Sequence, residues 1–346
     1  MKRIPTSPPV IPPLAPSASR PMWSVMIPVY NCSEFLVHTL KSVLAENVPA
    51  SQMQIEVIDD ASTDADVEKL VLELGEGRVN YYRQPQNVGS LRNFETCLNR
   101  AKGHLVHILH GDDRVRPGYY TTMQQLFKDF PEAGAAFCRH FNINEHNDII
   151  SKHVKDDDSQ WEILDNWLLR ISEKQQIQYA TITVKREVYE KLGGFYGITY
   201  GEDWEMWVRI AKHYPVAFTS RVLAEYRKHS ASISGVKFYT GEYLEDVNKL
   251  FQMIQKHLPP EHRKRVLKRA QKNFANYGMR IAHVLWEKTG NKQYAEANLT
   301  KALRMYVDTR IFLKAVRLWA KIALHDLKIR PHLPAESTAK NTDSNI

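Results

Sequence analysis

Short apolar runs that stop abruptly at polar clusters organise the first 140 residues. Trp23–Pro28 (WSVMIP), Ile55–Ile58 (IEVI), Val79–Tyr82, His104–Leu109 and Ala135–Cys138 have the length and the β-branched or apolar content of strands. Between them apolar positions recur at helical spacing. Phe35, Leu36, Leu40, Val43 and Leu44 predict a helix running to Ala45, capped by Ser33 or Asn31. Further helices are predicted over 64–74, 93–101 and 119–130. Strands alternating with helices predict a mostly parallel sheet covered on both faces. In such sheets ligands sit beyond the carboxyl ends of the strands.

Those ends carry polar groups. Pro28-Val29-Tyr30-Asn31 follows the first strand, Asp59-Asp60 the second and His110-Gly111-Asp112-Asp113 the fourth. A lone aspartate pair is most often a turn device or a helix cap. Three polar clusters at one edge of one sheet point instead to a site. Further on, Tyr179–Arg186 reads as a strand lining it, and Gly193-Gly194-Phe195 as a tight turn beneath it. Glu202 and Asp203 open a helix whose Trp204 and Trp207 read as core. Acids in a first helical turn are also favoured by the helix dipole, so one of the two acids can be a cap.

Four blocks, VMIPVYNCSEFLVHTLKSVL, IEVIDDASTD, NVGSLRNFETCLNRAKGHLVHILHGDDRVRPGYY, and GGFYGITYGEDWEMWVRIAKHY followed by YRKHSASIS, resemble the family 2 glycosyltransferases. The resemblance runs from about Trp23 to Ser234. It implies an α/β GT-A fold, a Rossmann-like mixed and mostly parallel sheet flanked by helices, here with a C-terminal helical extension. It also implies an inverting enzyme that moves a sugar from a nucleotide-diphosphate donor, by expectation a UDP-sugar, to a glycan or lipid-linked acceptor. Carried over by motif, Pro28 and Tyr30 form the first nucleotide turn and Asp60 accepts a hydrogen bond from the base. Arg92 stands near the nucleotide, Asp112 and Asp113 form the metal motif, with Asp113 the direct ligand, and Asp203 is the general base. His229 matches a residue that closes over metal and diphosphate. Many members have a further aspartate where this chain has His110, and His110 is left outside the expected site.

The chemistry suits these groups. Charge developing on a departing diphosphate is stabilised by a hard dication, Mn²⁺ or Mg²⁺, held by one or two carboxylates and the phosphates; an added imidazole such as His229 favours Mn²⁺. A carboxylate facing the acceptor hydroxyl removes its proton during attack. A sugar nucleotidyltransferase is the nearest enzymatic alternative, but Val25–Asn31 lacks the glycine-rich, basic loop that would cradle a triphosphate. A non-catalytic scaffold acting through its tail is the other alternative, and intact Asp60, Asp113 and Asp203 speak against it.

Composition adds the outer parts. The 346 residues are 43% hydrophobic and carry 47 basic against 39 acidic side chains, with three cysteines. That excludes a disulfide scaffold and suits a reducing, cytoplasmic setting. No run approaches the roughly 18 apolar residues of a membrane span. Seven of the 17 prolines fall in residues 1–21, which read as a disordered leader. A catalytic domain is expected over 22–240, a helical basic region over 241–330 and a loose tail over 331–346. From Gly241 onward basic residues outnumber acidic ones 20 to 10. No nucleic-acid-binding motif accompanies that charge. In 310–330, Arg310, Lys314, Arg317, Lys321 and Lys328 form one stripe beside an apolar sector with Trp319 and Ile322. This predicts a helix lying on an anionic membrane surface as a peripheral anchor, with packing on the catalytic domain or homo-oligomer formation as alternatives.

Overall fold

A computed structural model describes residues 2–15, 20–151, 154–230 and 232–329. Its first part alternates β1 (Trp23–Val29), α1 (Ser33–Leu44), β2 (Met53–Asp59), α2 (Val67–Gly75), β3 (Asn80–Arg83), α3 (Ser90–Arg100), β4 (Leu105–Ile108), β5 (Arg114–Val115), α4 (Tyr119–Asp129) and β6 (Ala135–Ile143). There follow β7 (Trp161–Ile163), α5 (Trp167–Glu173), β8 (Ile182–Lys185), α6 (Arg186–Leu192), α7 (Glu202–His213) and β9 (Val216–Arg227). The chain ends in α8 (Ile233–Thr240), α9 (Glu242–Gln255), α10 (Pro260–Thr289), α11 (Lys292–Met305) and α12 (Thr309–Ile329). Tyr179–Arg186, expected as one strand, divides into a 3₁₀ turn at Tyr179–Thr181 and β8.

The strands form one sheet in the order β3-β2-β1-β4-β8-β6-β9-β5, with β7 paired to β9. The first four are mutually parallel, β8 runs against β4 and β6, and β6 and β9 are parallel again. Side chains alternate across it. Val25, Ile27 and Val29 join a cluster with α1, α2 and α4, while Met26 joins one with α3 and α7. Both faces are therefore dry, as the apolar strands require.

The helix cap expected of Asn31 or Ser33 is not made. Asn31 takes φ +50° and its Oδ1 accepts from the Thr63 N–H at 2.8 Å, while the Ser33 N–H donates to Asp64 at 2.9 Å. Asp64 is thus spent on the neighbouring loop, and α2 starts later, where Asp66 accepts from the Lys69 N–H. These bonds staple the loops after β1 and β2 together.

Residues 2–15, expected to be loose, run as an extended strap along the domain. Ile11 is fully buried in the same cluster as Phe94 and Trp207. Proline lacks an N–H, so each proline of this segment needs a partner only for its carbonyl. The oxygens of Pro5, Pro9 and Pro12 accept from the Gly197 N–H, the Gly194 N–H and the Arg186 guanidinium at 2.9, 2.8 and 3.1 Å. Gly193, expected to make a turn under the acceptor, instead makes room for the strap: a Cβ there would stand 2.7 Å from the Pro9 carbonyl oxygen.

The expected boundary near residue 240 does not divide the core. Trp204 on α7 stacks on Phe274 of α10, ring centroids 5.3 Å apart, and the hydrophobic cluster continues without a break from Ile11 to Ile322. Helix α12 packs Ile311, Ala315, Leu318 and Ile322 inward. Ile322, expected at a membrane surface with Trp319, is buried, whereas Trp319 is exposed. The expected tail, 331–346, lies outside the described residues, as does the side chain of Lys328. No helix among the described residues is long and apolar enough to cross a membrane.

Candidate active site

The parallel register of β1 on β2 sets Val29 beside Asp59, and the Asp60 N–H donates to the Val29 carbonyl at 2.8 Å. The two aspartates then diverge. Asp59 is buried and structural: it accepts from Tyr81, from the Ser62 N–H and from Arg83, the last at 2.5 Å. Asp60 turns toward the cleft. Its two oxygens accept from the N–H groups of Val88 and Gly89 at 2.7 and 2.9 Å. Burial nevertheless outweighs those bonds and raises its carboxyl above the ordinary range.

Gly111 packs so closely on β1 that a Cβ would lie 2.9 Å from Val29 Cγ2. Thr39 of α1 clamps this loop by donating to the Asp113 carbonyl at 2.7 Å. Immediately afterwards β5 pairs with β9, which brings the Arg227 N–H to Asp113 Oδ1 at 2.9 Å. Asp113 Oδ2 is buried without a hydrogen-bond partner, and so is Nε2 of His110. His110, Asp112 and Asp113 each offer a ligand atom within 4.8 Å of the others. Asp112 Oδ2 in turn lies 2.9 Å from His229 Nε2.

Orphaned oxygen and nitrogen atoms in a partly buried cluster of two carboxylates and an imidazole fit a divalent cation. His110, left out by the sequence reading, belongs to this cluster. Burial, then the adjacent Asp112, push the Asp113 carboxyl well above the ordinary range. At Asp112 burial works the same way, but the hydrogen bond to His229 and the charge of His110 prevail and hold it low.

Helix α7 brings a second acidic group to the cleft. Gly201, at φ +90°, precedes α7 and sets Glu202 and Asp203 in its first turn. Asp203 Oδ2 accepts from Gln175 at 2.7 Å and Oδ1 from the Trp204 N–H at 2.7 Å. Glu202 accepts from the Tyr179 hydroxyl at 3.2 Å. Burial raises both carboxyls, and the Asp203 charge raises Glu202 further. Trp204 and Trp207 are buried, as expected of core residues.

All these parts open onto one cleft of about 2150 Å³, whose lining includes Pro28, Tyr30, Asp60, His110, Asp112, Asp113, Glu202, Asp203 and His229. Arg92 is not in the lining. Its guanidinium pairs with Glu95 at 2.5 Å and holds the Lys2 carbonyl at 2.9 Å. The cation at that end is Arg3 of the strap, which bonds Asn87 and lies beside Gly89. Proline-rich composition concealed it, and no local pattern announces it.

With that geometry in view, likeness to known proteins is informative. The model of the family described as "Glycosyl transferase family 2" matches residues 24–192. This segment belongs to glycosyl transferase family 2. The family 2 domain therefore supplies Asp60, Asp112 and Asp113, while Asp203 and His229 lie beyond its matched end. An uncharacterized protein of Mycobacterium tuberculosis is 32% identical over 146 residues, 42% of this chain and 40% of that protein. The chain thus spans well under two thirds of that relative. Among solved structures, S. aureus TarS 1–349 in complex with UDP-GlcNAc superposes with TM-score 0.61 at 14% identity, covering 87% of this chain and 88% of that one. A Pyrobaculum calidifontis mannosyltransferase in complex with GDP-Man and Mn²⁺ gives TM-score 0.55 at 19% identity, covering 94% and 84%. The mixed sheet, its flanking helices and the C-terminal helices are those of the GT-A fold.

Proposed function

We propose that the chain is an inverting hexosyltransferase that moves a sugar from a nucleotide-diphosphate donor, a UDP-sugar, to a hydroxyl of a glycan or lipid-linked acceptor, in the assembly of a polysaccharide. The observation that carries the reading is the convergence of Asp60, the His110–Asp112–Asp113 cluster and Asp203 on a single cleft. Pro28, Tyr30 and Asp60 hold the base, with Arg3 in the position expected of Arg92. His110, Asp112, Asp113 and His229 would hold a divalent cation, Mn²⁺ by the imidazole content, which supplies charge stabilisation at the leaving diphosphate. Asp203 orients the acceptor hydroxyl and takes its proton as the new C–O bond forms at the anomeric carbon and the bond to the diphosphate breaks. A raised carboxyl is a stronger base than an ordinary aspartate, which suits that task.

Asp203→Asn should lower nucleoside diphosphate release by about 10²–10⁴, with donor binding by calorimetry retained. Normal turnover in that variant removes Asp203 from the role. A nucleotidyltransferase would instead release pyrophosphate from a nucleoside triphosphate, and a scaffold would release neither product.

Peripheral membrane attachment is supported by the outer face of α12, where Phe312, Val316, Trp319 and Leu324 are exposed. Co-sedimentation with anionic vesicles should fall in Phe312→Ser/Trp319→Ser; unchanged co-sedimentation counts against it.

A further inference from the structure

Past Glu202 and Asp203 the cleft continues along the facing sides of α10 and α12. Helix α10 contributes Arg280 and Lys288 to its wall, at i and i+8. Helix α12 contributes Lys314, Arg317 and Lys321, at i, i+3 and i+7. Each set lies on one side of its helix. Neither helix adds a carboxylate to that wall.

A row of like charges is ordinarily relieved by interleaved acids. Here Lys321 is answered by Glu287, and Lys314 by the side-chain Oδ1 of Asn276 at 2.8 Å. Arg280, Lys288 and Arg317 have no carboxylate partner among the described residues. The row also reaches the catalytic centre. Lys228 follows Arg227, whose N–H fixes Asp113, and Lys228 lies in the same lining. Lys228 and Arg280 thus stand in one lining, with no acid from α10 or α12 beside them.

We propose that this arm binds the acceptor, and that the acceptor is a glycan carrying repeated negative charge, phosphate or carboxylate, which Lys228, Arg280 and Arg317 hold while one of its hydroxyls meets Asp203. This rests on the glycosyltransferase reading of the site. An uncharged acceptor would leave this row of cations in one lining without counter-charge. An anionic one neutralises them, and the two guanidinium groups offer the planar donor pair that matches phosphate and carboxylate oxygens.

Fluorescence anisotropy on the full chain tests this with two labelled polymers, linear inorganic polyphosphate and polygalacturonate. At constant ionic strength Arg280→Gln/Arg317→Gln should weaken binding of at least one polymer by about tenfold or more. Lys69→Gln, on the exposed face of α2 outside the cleft lining, should weaken neither. The polymer more strongly affected identifies the acidic group. Failure of the intact protein to bind either polymer overturns the proposal, as does an equal loss in Lys69→Gln. A loss confined to phosphatidylglycerol vesicles, with both polymers bound normally, gives the cations to a membrane and overturns it too. Calorimetry of the intact protein with nucleotide sugars is read separately: absent donor binding defeats the enzymatic reading while the polymer result still decides the charge of the arm.

Discussion

The rings of His110 and Tyr179 lie 4.3 Å apart between centroids, and the same tyrosine donates its hydroxyl to Glu202. One aromatic side chain therefore touches the His110–Asp112–Asp113 cluster through its ring and the acidic start of α7 through its hydroxyl. Phe94 stacks on His110 at 5.3 Å and lies 5.3 Å from Tyr179 as well, so the three rings form one triangular cluster. Such ring packing limits the orientations open to the imidazole.

Tyr179→Phe keeps both stacks and removes only the hydroxyl. Glu202 then loses its donor in a buried setting, which should cost about 1–3 kcal/mol, read as a lower denaturant midpoint. The Glu202 carboxyl should rise further, since the Tyr179 hydroxyl is one of the groups that lower it.

Stability should depend on pH through Glu202 and Asp203. Their folded carboxyls are raised, so the native state keeps protons that the unfolded chain has lost. Stability therefore declines as pH rises from the ordinary carboxylate range through the raised folded values. Asp203→Asn removes one such group. Its melting temperature should exceed that of the unaltered protein at pH 8 and converge with it near pH 4. A melting difference independent of pH would contradict the assignment.

Mn²⁺ should raise the melting temperature, because a cation held by the folded cluster alone shifts unfolding by mass action. The shift amounts to about 2.7 kcal/mol at a hundredfold excess over Kd. Asp113→Asn should abolish it. His110→Phe, which preserves the stack, should reduce it. Equal shifts in all three proteins would place the ion elsewhere.

The strap should be part of the cooperative unit. Ile11→Ala empties a fully buried position and should cost about 2–5 kcal/mol, measured by chemical denaturation. Under native conditions the Pro5–Pro12 segment should resist proteolysis. A loose leader would show neither effect.

How far these features could be read from the chain follows from the range of the interactions. Strands β1, β2 and β4 announce themselves, since each is an apolar run ended by acids or a proline, and the partners that make Asp60, Asp112 and Asp113 a site are the neighbouring strand ends. Asp203 is likewise marked by the glycine before it and the amphipathic helix after it. His110 was misplaced because its value depends on Phe94 and Tyr179, distant in sequence. Arg92 pairs with Glu95 three residues along its own helix, a local contact that outcompetes the cleft. The strap defeats composition altogether: prolines that forbid helix and sheet also suit an extended segment docked through its proline carbonyls, and the donors to them lie between Arg186 and Gly197.

The matched domain ends at Leu192, yet the cleft does not. Its Asp60 end is made chiefly by the shared segment, and the wall opposite by α7, α10 and α12, which that segment does not contain. Substitutions on the later helices can alter what is admitted beside Asp203 without loosening the grip around Asp60. Two proteins alike across the first half can thus diverge in what they decorate, and the second half of the chain is where that divergence would be inherited.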